Sequence, residues 1–383
     1  MKYLAVVLLM VATLGLCLVG CNDTTGTDDL SNYQIIYSDI DYTELLSLQN
    51  SGYDDGCDFN LYSAEKLQAE IKSKFGVTLP IGLDSETKQT AYEILVGPTN
   101  RQQTSKFKLN SLDEQNYLIA EDGGKLVVCG GSYGETWQAV KVLCDSLSSS
   151  DAPITKSGVK KGFNKSGSVH LTTIACVGDS LTWGAESISQ DYHSYPAFLG
   201  RMLWKNCLVK KYANPGKTMN NSIEYGNGVF GFMRTAEWLK CLNDAEKFDL
   251  VLIMLGTNDA WCVNLSGYEW CKNFKKDFKD SFLQILSEIN QINGDIQYTL
   301  MNCPRVYANG YNTAEICSYQ DECVEAALAL GYQIDLYDMA TATEFINQST
   351  YFAPDGLHFN AKGYQYIANL VKSMLAQKIN LEL

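Results

Sequence analysis

The feature that most constrains the fold of this chain is a series of apolar, strand-like runs separated by segments with helical spacing. Residues 250–255 carry only apolar side chains, as expected for a parallel strand that is covered on both faces of a sheet. Similar runs occupy residues 173–177, 208–212, 297–302 and 333–337, and helical patterns lie at 195–204, 230–242, 273–290, 314–330 and 361–377. This alternation predicts an α/β fold, a three-layer doubly wound parallel sheet with its functional site at the carboxyl ends of the strands.

The first part of the chain predicts a separate, smaller α/β domain. Strand patterns lie at 35–37, 93–97, 117–120 and 126–129, and helical spacing at 64–75 and 134–147. Residues 79–81 predict a turn, and the segments 148–153 and 160–167 predict connections. We therefore expect an accessory domain over residues 33–160 and a larger domain over 168–383. The order of elements in the first domain resembles the accessory N-terminal domain of several glycoside hydrolase families.

The N-terminus has the pattern of a secretory signal. Lys2 precedes an apolar stretch over residues 4–19, which is followed by Gly20 and Cys21. The tetrapeptide ending at Cys21 resembles a bacterial lipobox, which implies cleavage after residue 20 and acylation of the Cys21 thiol. A transmembrane helix is the alternative, but the apolar stretch is short for one. Residues 21–32 predict a polar tether, and the whole segment predicts an exported, membrane-anchored lipoprotein.

Charge and cysteine content exclude several functions. The formal net charge is −14, and no basic block exceeds a pair of lysines, which argues against nucleic acid and against electrostatic docking on anionic lipid. After Cys17 and Cys21, eleven of the thirteen cysteines remain, so they cannot all pair. Cys129 and Cys176 lie in apolar strand patterns and are expected in the core. With three histidines and no C-x-x-C sequence, a metal site is not expected.

Four short motifs lie at the predicted strand ends. Gly178-Asp-Ser-Leu181 follows the first strand of the larger domain, which places the Ser180 hydroxyl beside the N–H groups of a helix start. Gly216 follows the second strand and Asn258 the third, while Asp355-Gly-Leu-His358 precedes the last helix. In this order the motifs resemble the four blocks of the SGNH, or GDSL, hydrolase family.

That resemblance implies a flavodoxin-like fold and a serine esterase that needs no cofactor. Ser180 would be the nucleophile, His358 its base and Asp355 the carboxylate that orients the imidazole. The backbone N–H groups of Ser180 and Gly216 and the side-chain amide of Asn258 would form the oxyanion hole.

Four further residues near these motifs receive weaker assignments. Trp183 and Trp261 each lie beside a block, and both a substrate wall and a place in the core fit such aromatic residues. His193 is a candidate for substrate contact, although a surface-loop position is favoured. Asp259 is expected to order its loop.

The expected function is a surface-anchored esterase that removes short acyl groups, chiefly acetyl, from polysaccharides. The acylated carbohydrate is inferred from the accessory domain and the anchor, which are associations only. A lysophospholipase or thioesterase is the alternative within the same family. The sequence has no long apolar insertion near the four motifs that could hold an acyl chain, which argues against this alternative. A non-catalytic glycan-binding surface protein is the other alternative. The presence of Ser180 together with His358 argues against it, because binding alone does not need these two residues.

Overall fold

The computed structural model describes residues 29–38, 59–226, 228–344 and 346–379. The expected signal peptide, Cys21 and most of the expected tether lie outside the described residues. Among the helices of the described part, none is long and apolar enough to cross a membrane.

The first unit is a six-stranded sheet with helices on its faces. The strands follow the order β2-β1-β3-β5-β4-β8, in which β4 is antiparallel to both of its neighbours and the other pairs are parallel. Helices α1 and α3 pack together over the main core of this unit. The elements are β1 (Gln34–Tyr37), α1 (Phe59–Phe75), β2 (Ile81–Leu83), β3 (Glu93–Val96), α2 (Gln102–Lys106), β4 (Asn116–Asp122), β5 (Lys125–Gly130), α3 (Tyr133–Ser146), β6 (Ile154–Thr155), β7 (Gly158–Val159) and β8 (Asn164–Ser168), with short 3-10 helices at Leu30–Asn32 and Leu109–Ser111.

Three boundaries of this unit differ from the sequence expectations. The turn expected over residues 79–81 ends before residue 81, because residues 81–83 pair in parallel with β1 as a strand at the edge of the sheet, where the preceding Pro80 is tolerated. Residues 164–168 are the opposite edge strand and not a connection. Leu30, placed in the tether, is fully buried in the core. The first unit therefore extends from at least residue 29 to Ser168.

The second unit is the doubly wound sheet that the sequence predicts. Five parallel strands follow the order β10-β9-β14-β15-β16, so the first strand of this unit lies between the second and the third, as in flavodoxin-like folds. The elements are β9 (Thr172–Gly178), α4 (Ser180–Trp183), α5 (Gln190–His193), α6 (Tyr195–Met202), β10 (Cys207–Ala213), β11 (Lys217–Thr218), β12 (Glu224–Tyr225), β13 (Val229–Gly231), α7 (Ala236–Asp244), β14 (Leu250–Met254), α8 (Thr257–Cys262), α9 (Phe274–Asn290), β15 (Gln297–Met301), α10 (Thr313–Ala329), β16 (Ile334–Tyr337), α11 (Met339–Ala342), α12 (Gln348–Tyr351) and α13 (Ala361–Leu375), with 3-10 helices at Phe232–Arg234, Ala245–Lys247 and Glu269–Cys271.

The apolar strands are explained by two cores, one on each face of this sheet. In β14, Val251 and Ile253 belong to the core that contains residues of α7, α9 and α10. The alternate residues Leu250 and Leu252 belong to the core that contains residues of α6 and α13. Because both faces of the strand are covered, successive side chains are all apolar, and the three-layer fold is confirmed.

The two units contact each other at the amino ends of the second sheet. The rings of Phe59 and Trp137 pack against Trp204 with centroids 4.9 and 5.7 Å apart. Gln115 donates to the Thr173 hydroxyl at the start of β9 (3.2 Å), and in the connection that follows the first unit His170 lies 3.0 Å from Asp249, just before β14. These contacts place the accessory unit at the amino ends of the strands, whereas Ser180 lies at their carboxyl ends. The accessory unit is therefore held away from the predicted catalytic residues.

Candidate active site

The turn after β9 places Ser180 at the carboxyl ends of the strands. Asp179 caps helix α4 by accepting the Leu181 N–H (2.9 Å). Ser180 is the first helical residue, and its N–H lacks an intrahelical acceptor. A Cβ atom on Gly178 would lie 2.0 Å from the Thr182 hydroxyl and 2.7 Å from the Met254 carbonyl oxygen. Only glycine fits this close approach of strand and turn.

Ser180, His358 and Asp355 form one hydrogen-bonded line. The Ser180 Oγ atom lies 2.9 Å from His358 Nε2, and His358 Nδ1 lies 2.6 Å from Asp355 Oδ2. The serine is 7% exposed, whereas the carboxylate is 40% exposed. The structure thus joins two residues that are close in sequence to a third that lies 178 positions away.

The loop that carries Asp355 keeps this carboxyl group ionised. Burial alone would raise the pKa of Asp355, but hydrogen bonds from the His358 and Leu357 N–H groups and from the imidazole hold the pKa below its ordinary value. The two backbone bonds, at 2.9 Å from Leu357 and 3.0 Å from His358, also fix the orientation of the carboxylate. A charged, fixed carboxylate favours the Nδ1–H tautomer of His358, which leaves Nε2 free to take the serine proton.

Gly216 and Asn258 are held together beside the serine. Gly216 has φ +75°, a left-handed conformation that favours glycine. The carbonyl oxygen of the next residue, Lys217, accepts a hydrogen bond from Asn258 Nδ2 (2.9 Å). The same amide donates to Asp179 Oδ2 at 3.3 Å. The Asn258 amide therefore connects the loop directly after Gly216 to Asp179, the residue that precedes the nucleophile.

Two buried carboxyl groups organise this side of the site. Asp179 is fully buried, and burial, together with the charge of Asp259, raises its pKa to about 7. Asp259 accepts the N–H groups of Met219 (2.8 Å) and Asn220 (2.9 Å), while burial raises its pKa to about 6. Asp259 therefore orders the loop after Gly216, as the sequence predicted. The contact of Asp179 with Asn258 was not predicted, because nothing in a Gly-Asp-Ser turn indicates a partner 79 residues away.

A loop after β15, which sequence reasoning missed, crosses the site. In this bridging loop (residues 307–312), the N–H groups of Tyr307 and Ala308 donate to the Gly356 carbonyl oxygen at 2.7 and 3.0 Å. At its other end, Asn312 donates to the Ala260 carbonyl oxygen at 2.7 Å. The loop thus links the segment of His358 to the helix of Asn258. Tyr311, between these ends, is half-buried, and burial and the charges of Asp179 and Asp355 raise its pKa.

The structure separates the three candidate wall residues. Trp261 is half-buried on helix α8, beside the bridging loop, and its ring packs against Tyr225. Trp183 is also half-buried, and its carbonyl oxygen accepts a hydrogen bond from Lys211 Nζ (3.2 Å). His193 is 1% exposed and its ring centroid lies 5.9 Å from that of Phe198. The surface-loop interpretation of His193 was wrong, because helix α5 buries it in the protein, where it cannot form a substrate wall.

The remaining candidate chemistry concerns thiols and metals. All ten cysteines in the described part of the chain are free thiols, and Cys129 and Cys176 are buried as expected. Burial raises the pKa of both thiols to about 12, so neither is a reactive thiolate. Within the described ranges, no group of three or more His, Cys, Asp or Glu residues is arranged to hold a metal ion.

Together, the fold and the geometry define a serine hydrolase. A serine with a base at hydrogen-bond distance, an oriented imidazole and neighbouring amide donors supplies what acyl transfer requires. Comparison with known proteins agrees with this class. Residues 176–366 match the GDSL-like Lipase/Acylhydrolase family, so the second unit is a GDSL-family hydrolase domain.

One curated relative is an acetylxylan esterase of Xylanibacter ruminicola, which is 30% identical over 118 residues. The matched segment covers 31% of this chain and 22% of that protein, so the chain spans only a small part of its relative.

Several solved structures are similar in part. A family two carbohydrate esterase from Clostridium thermocellum, in complex with cellohexaose, is 21% identical with a TM-score of 0.40, covering 58% of this chain and 69% of that one. A carbohydrate acetylesterase from Sinorhizobium meliloti is 15% identical with a TM-score of 0.40, covering 54% and 100%. A lipase/acylhydrolase from Enterococcus faecalis is 19% identical with a TM-score of 0.39, covering 56% and 100%.

Proposed function

We propose that this protein is a lipid-anchored extracytoplasmic esterase that removes short acyl groups, chiefly acetyl, from polysaccharides. The observation that carries the reaction is the line from Ser180 Oγ through His358 to Asp355, with contacts of 2.9 and 2.6 Å. The polysaccharide substrate and the membrane-anchored location are separate parts of the proposal, and each has its own support and its own test.

The reaction begins when Ser180 Oγ attacks the ester carbonyl carbon and His358 Nε2 takes the hydroxyl proton. The negative charge that develops on the carbonyl oxygen is stabilised by the N–H groups of Ser180 and Gly216 and by the Asn258 amide. Asp355 stabilises the imidazolium. When the tetrahedral intermediate collapses, the bond to the alcohol breaks, and His358 gives its proton to the departing oxygen.

The second half of the reaction releases the acyl group. Water attacks the acyl-serine carbonyl carbon while His358 accepts one of its protons, and the same donors stabilise the second oxyanion. Collapse breaks the bond to Ser180 Oγ, which recovers its proton from His358. No step requires a metal ion or a cofactor.

Two observations support a short acyl group on a carbohydrate. The bridging loop is clamped at Gly356 and Ala260, which ties it to the segment of His358 and to the helix of Asn258, and it carries Tyr311 near the charges of Asp179 and Asp355. A relative that shares 30% identity over 118 residues is named an acetylxylan esterase. The proposed partner is therefore an acylated, xylan-like polysaccharide.

The anchor is proposed from the sequence alone. The apolar segment that ends in Gly20 and Cys21 suits acylation of the cysteine and cleavage before it. Two or three acyl chains hold a protein on a membrane much more firmly than one, since each buried CH₂ contributes about 0.8 kcal/mol. This arrangement would keep the enzyme at the cell surface, where extracellular polysaccharides are accessible.

The experiment that tests the reaction is Ser180→Ala in the purified protein. The change should lower kcat on 4-nitrophenyl acetate by on the order of 10⁴-fold or more. The melting temperature should change little, because the hydroxyl contributes a single hydrogen bond, to His358. A variant that keeps near wild-type turnover would refute the assignment and leave the glycan-binding alternative.

A panel of substrates tests the acyl group and the carbohydrate. Activity on 4-nitrophenyl esters should fall steeply beyond butyrate, and acetylated xylan should release acetate. A maximum at eight carbons or more would contradict the proposal and favour a lysophospholipase or thioesterase.

A further inference from the structure

A group of aromatic side chains lies beside the predicted oxyanion hole. We call Trp261, Tyr225 and Tyr268 the aromatic shelf. The ring centroids of Trp261 and Tyr225 are 5.0 Å apart, and those of Tyr225 and Tyr268 are 5.4 Å apart. Their interplanar angles of 78° and 69° are edge-to-face arrangements, which aromatic pairs prefer. The shelf extends well beyond the length of an acetyl group.

The shelf is attached to the same two elements that carry the oxyanion donors. Trp261 follows Asn258 by three residues in helix α8, a spacing that puts two side chains on the same side, about 5–6 Å apart at Cβ. Tyr225 belongs to β12, which pairs with β13, and β13 pairs with β11, the strand directly after Gly216. The shelf therefore begins next to the site of acyl transfer and leads away from it.

The outer residue of the shelf is supported underneath and open above. Tyr268 is 40% exposed, whereas Trp270, which stacks on it at 5.1 Å and 14°, is 7% exposed. Trp270 covers one face of the Tyr268 ring and Tyr225 meets the same ring edge-to-face, so the exposed area is what these two rings leave uncovered. A fixed aromatic ring with exposed area is the geometry that the apolar face of a ring-shaped ligand can contact.

The charges around the shelf indicate a neutral occupant. Glu224 lies 3.4 Å from Arg234, and Glu269 lies 2.5 Å from Lys272. Each carboxylate next to a shelf tyrosine is thus balanced by one cation. The rim offers hydrogen-bonding groups without an excess of positive charge that would select an acidic polymer.

We infer that the aromatic shelf is a glycan subsite, which holds neutral sugar rings adjacent to the acylated sugar of a polysaccharide chain. A sugar ring has an apolar C–H face that can contact the aromatic ring and hydroxyl groups that can hydrogen-bond to the polar rim. A fatty acyl chain has no groups that can hydrogen-bond to that rim. The inference rests on the proposed polysaccharide esterase function and extends it, since it means that the enzyme recognises a chain of sugars and not only an acetylated unit.

The test compares Tyr268→Ala with Tyr268→Phe and with wild type on acetylated xylan and on 4-nitrophenyl acetate. For Tyr268→Ala, kcat/KM on the polymer should fall about 3- to 10-fold more than on the aryl ester, the effect of losing one aromatic contact. Tyr268→Phe keeps the ring and should keep the polymer activity. Tyr62→Ala is the matched control, because Tyr62 is a 49% exposed tyrosine on the accessory unit. It should alter neither activity.

Two outcomes would overturn the inference. One is an equal effect of Tyr268→Ala on both substrates. The other is a selective loss on 4-nitrophenyl octanoate, which would make the shelf an acyl-chain site.

A binding measurement separates failure of the shelf from failure of the proposed function. Inactive Ser180→Ala should be retarded in affinity electrophoresis through unmodified xylan, and the added Tyr268→Ala change should abolish that retardation. If wild type is active on aryl acetate but releases no acetate from xylan, the polysaccharide function is wrong, while this assay still decides whether the shelf binds sugars. Absence of retardation in both proteins would refute the shelf.

Discussion

Replacing Asn258 with alanine is the sharpest test of the oxyanion hole. Asn258 Nδ2 donates to the Lys217 carbonyl oxygen at 2.9 Å and to Asp179 Oδ2 at 3.3 Å. The shorter bond fixes the amide, and the longer one is weak enough to be exchanged for the oxyanion during the reaction. The change therefore removes one preorganised donor and leaves the N–H groups of Ser180 and Gly216 in place.

The expected magnitude follows from the loss of one donor among three. We expect kcat to fall by roughly 10²–10³, or about 2.7–4 kcal/mol, with a smaller effect on KM, because the charge is present chiefly in the transition state. The Lys217 carbonyl oxygen and the buried Asp179 carboxyl each lose a donor. An unsatisfied buried group costs about 1–3 kcal/mol, so the free energy of unfolding should also decrease.

Steady-state kinetics on 4-nitrophenyl acetate and urea unfolding separate these two effects. Asn293→Ala is the matched control, because its amide donates to the Phe248 carbonyl oxygen (2.9 Å) near the amino ends of the strands. It should reduce stability without changing kcat. A change confined to KM in Asn258→Ala would instead make Asn258 a substrate-binding residue, and an unchanged kcat would exclude it from the oxyanion hole.

Four further predictions concern the rest of the molecule. Asp355→Asn should lower kcat on the order of 10⁴-fold, because the amide no longer selects the productive tautomer of His358; a loss below tenfold in single-turnover kinetics would contradict this role. Tyr311→Ala should shift the chain-length profile of 4-nitrophenyl esters towards longer acyl groups, and an unchanged profile would show that Tyr311 does not limit the length of the acyl group. Burial raises the pKa of Glu135 to about 7, so the folded protein retains a proton that the unfolded chain releases near pH 4. The free energy of unfolding should then fall as the pH rises from about 5 to 8. In Glu135→Gln this decrease should be smaller when the free energy is measured by urea unfolding at each pH. Cys21→Ser should incorporate no labelled fatty acid and remain uncleaved, whereas unmodified wild-type protein in the culture medium would indicate an ordinary secretory signal.

The sequence by itself determined the fold of the second unit and which candidate residues meet at its site. A strand that is buried on both faces is apolar at every position. The apolar run over residues 250–255 therefore predicts a covered strand without information from the rest of the chain. The motifs at the strand ends are equally local, and parallel strands bring their carboxyl ends to one edge. For that reason the meeting of Ser180, Asp355 and His358 was predictable across 178 residues.

Only the tertiary structure decided the features that depend on partners distant in sequence. The polar neighbours of His193 indicated a surface loop, yet the packing of helix α5 buries it. Pro80 indicated a turn, yet an edge position in the sheet accommodates a strand directly after it. The bridging loop and the aromatic shelf assemble from separate segments that have no shared period or motif. Periodicity reports which face of an element is covered, but it does not report which element covers it, and these contacts follow from the packing of the whole chain.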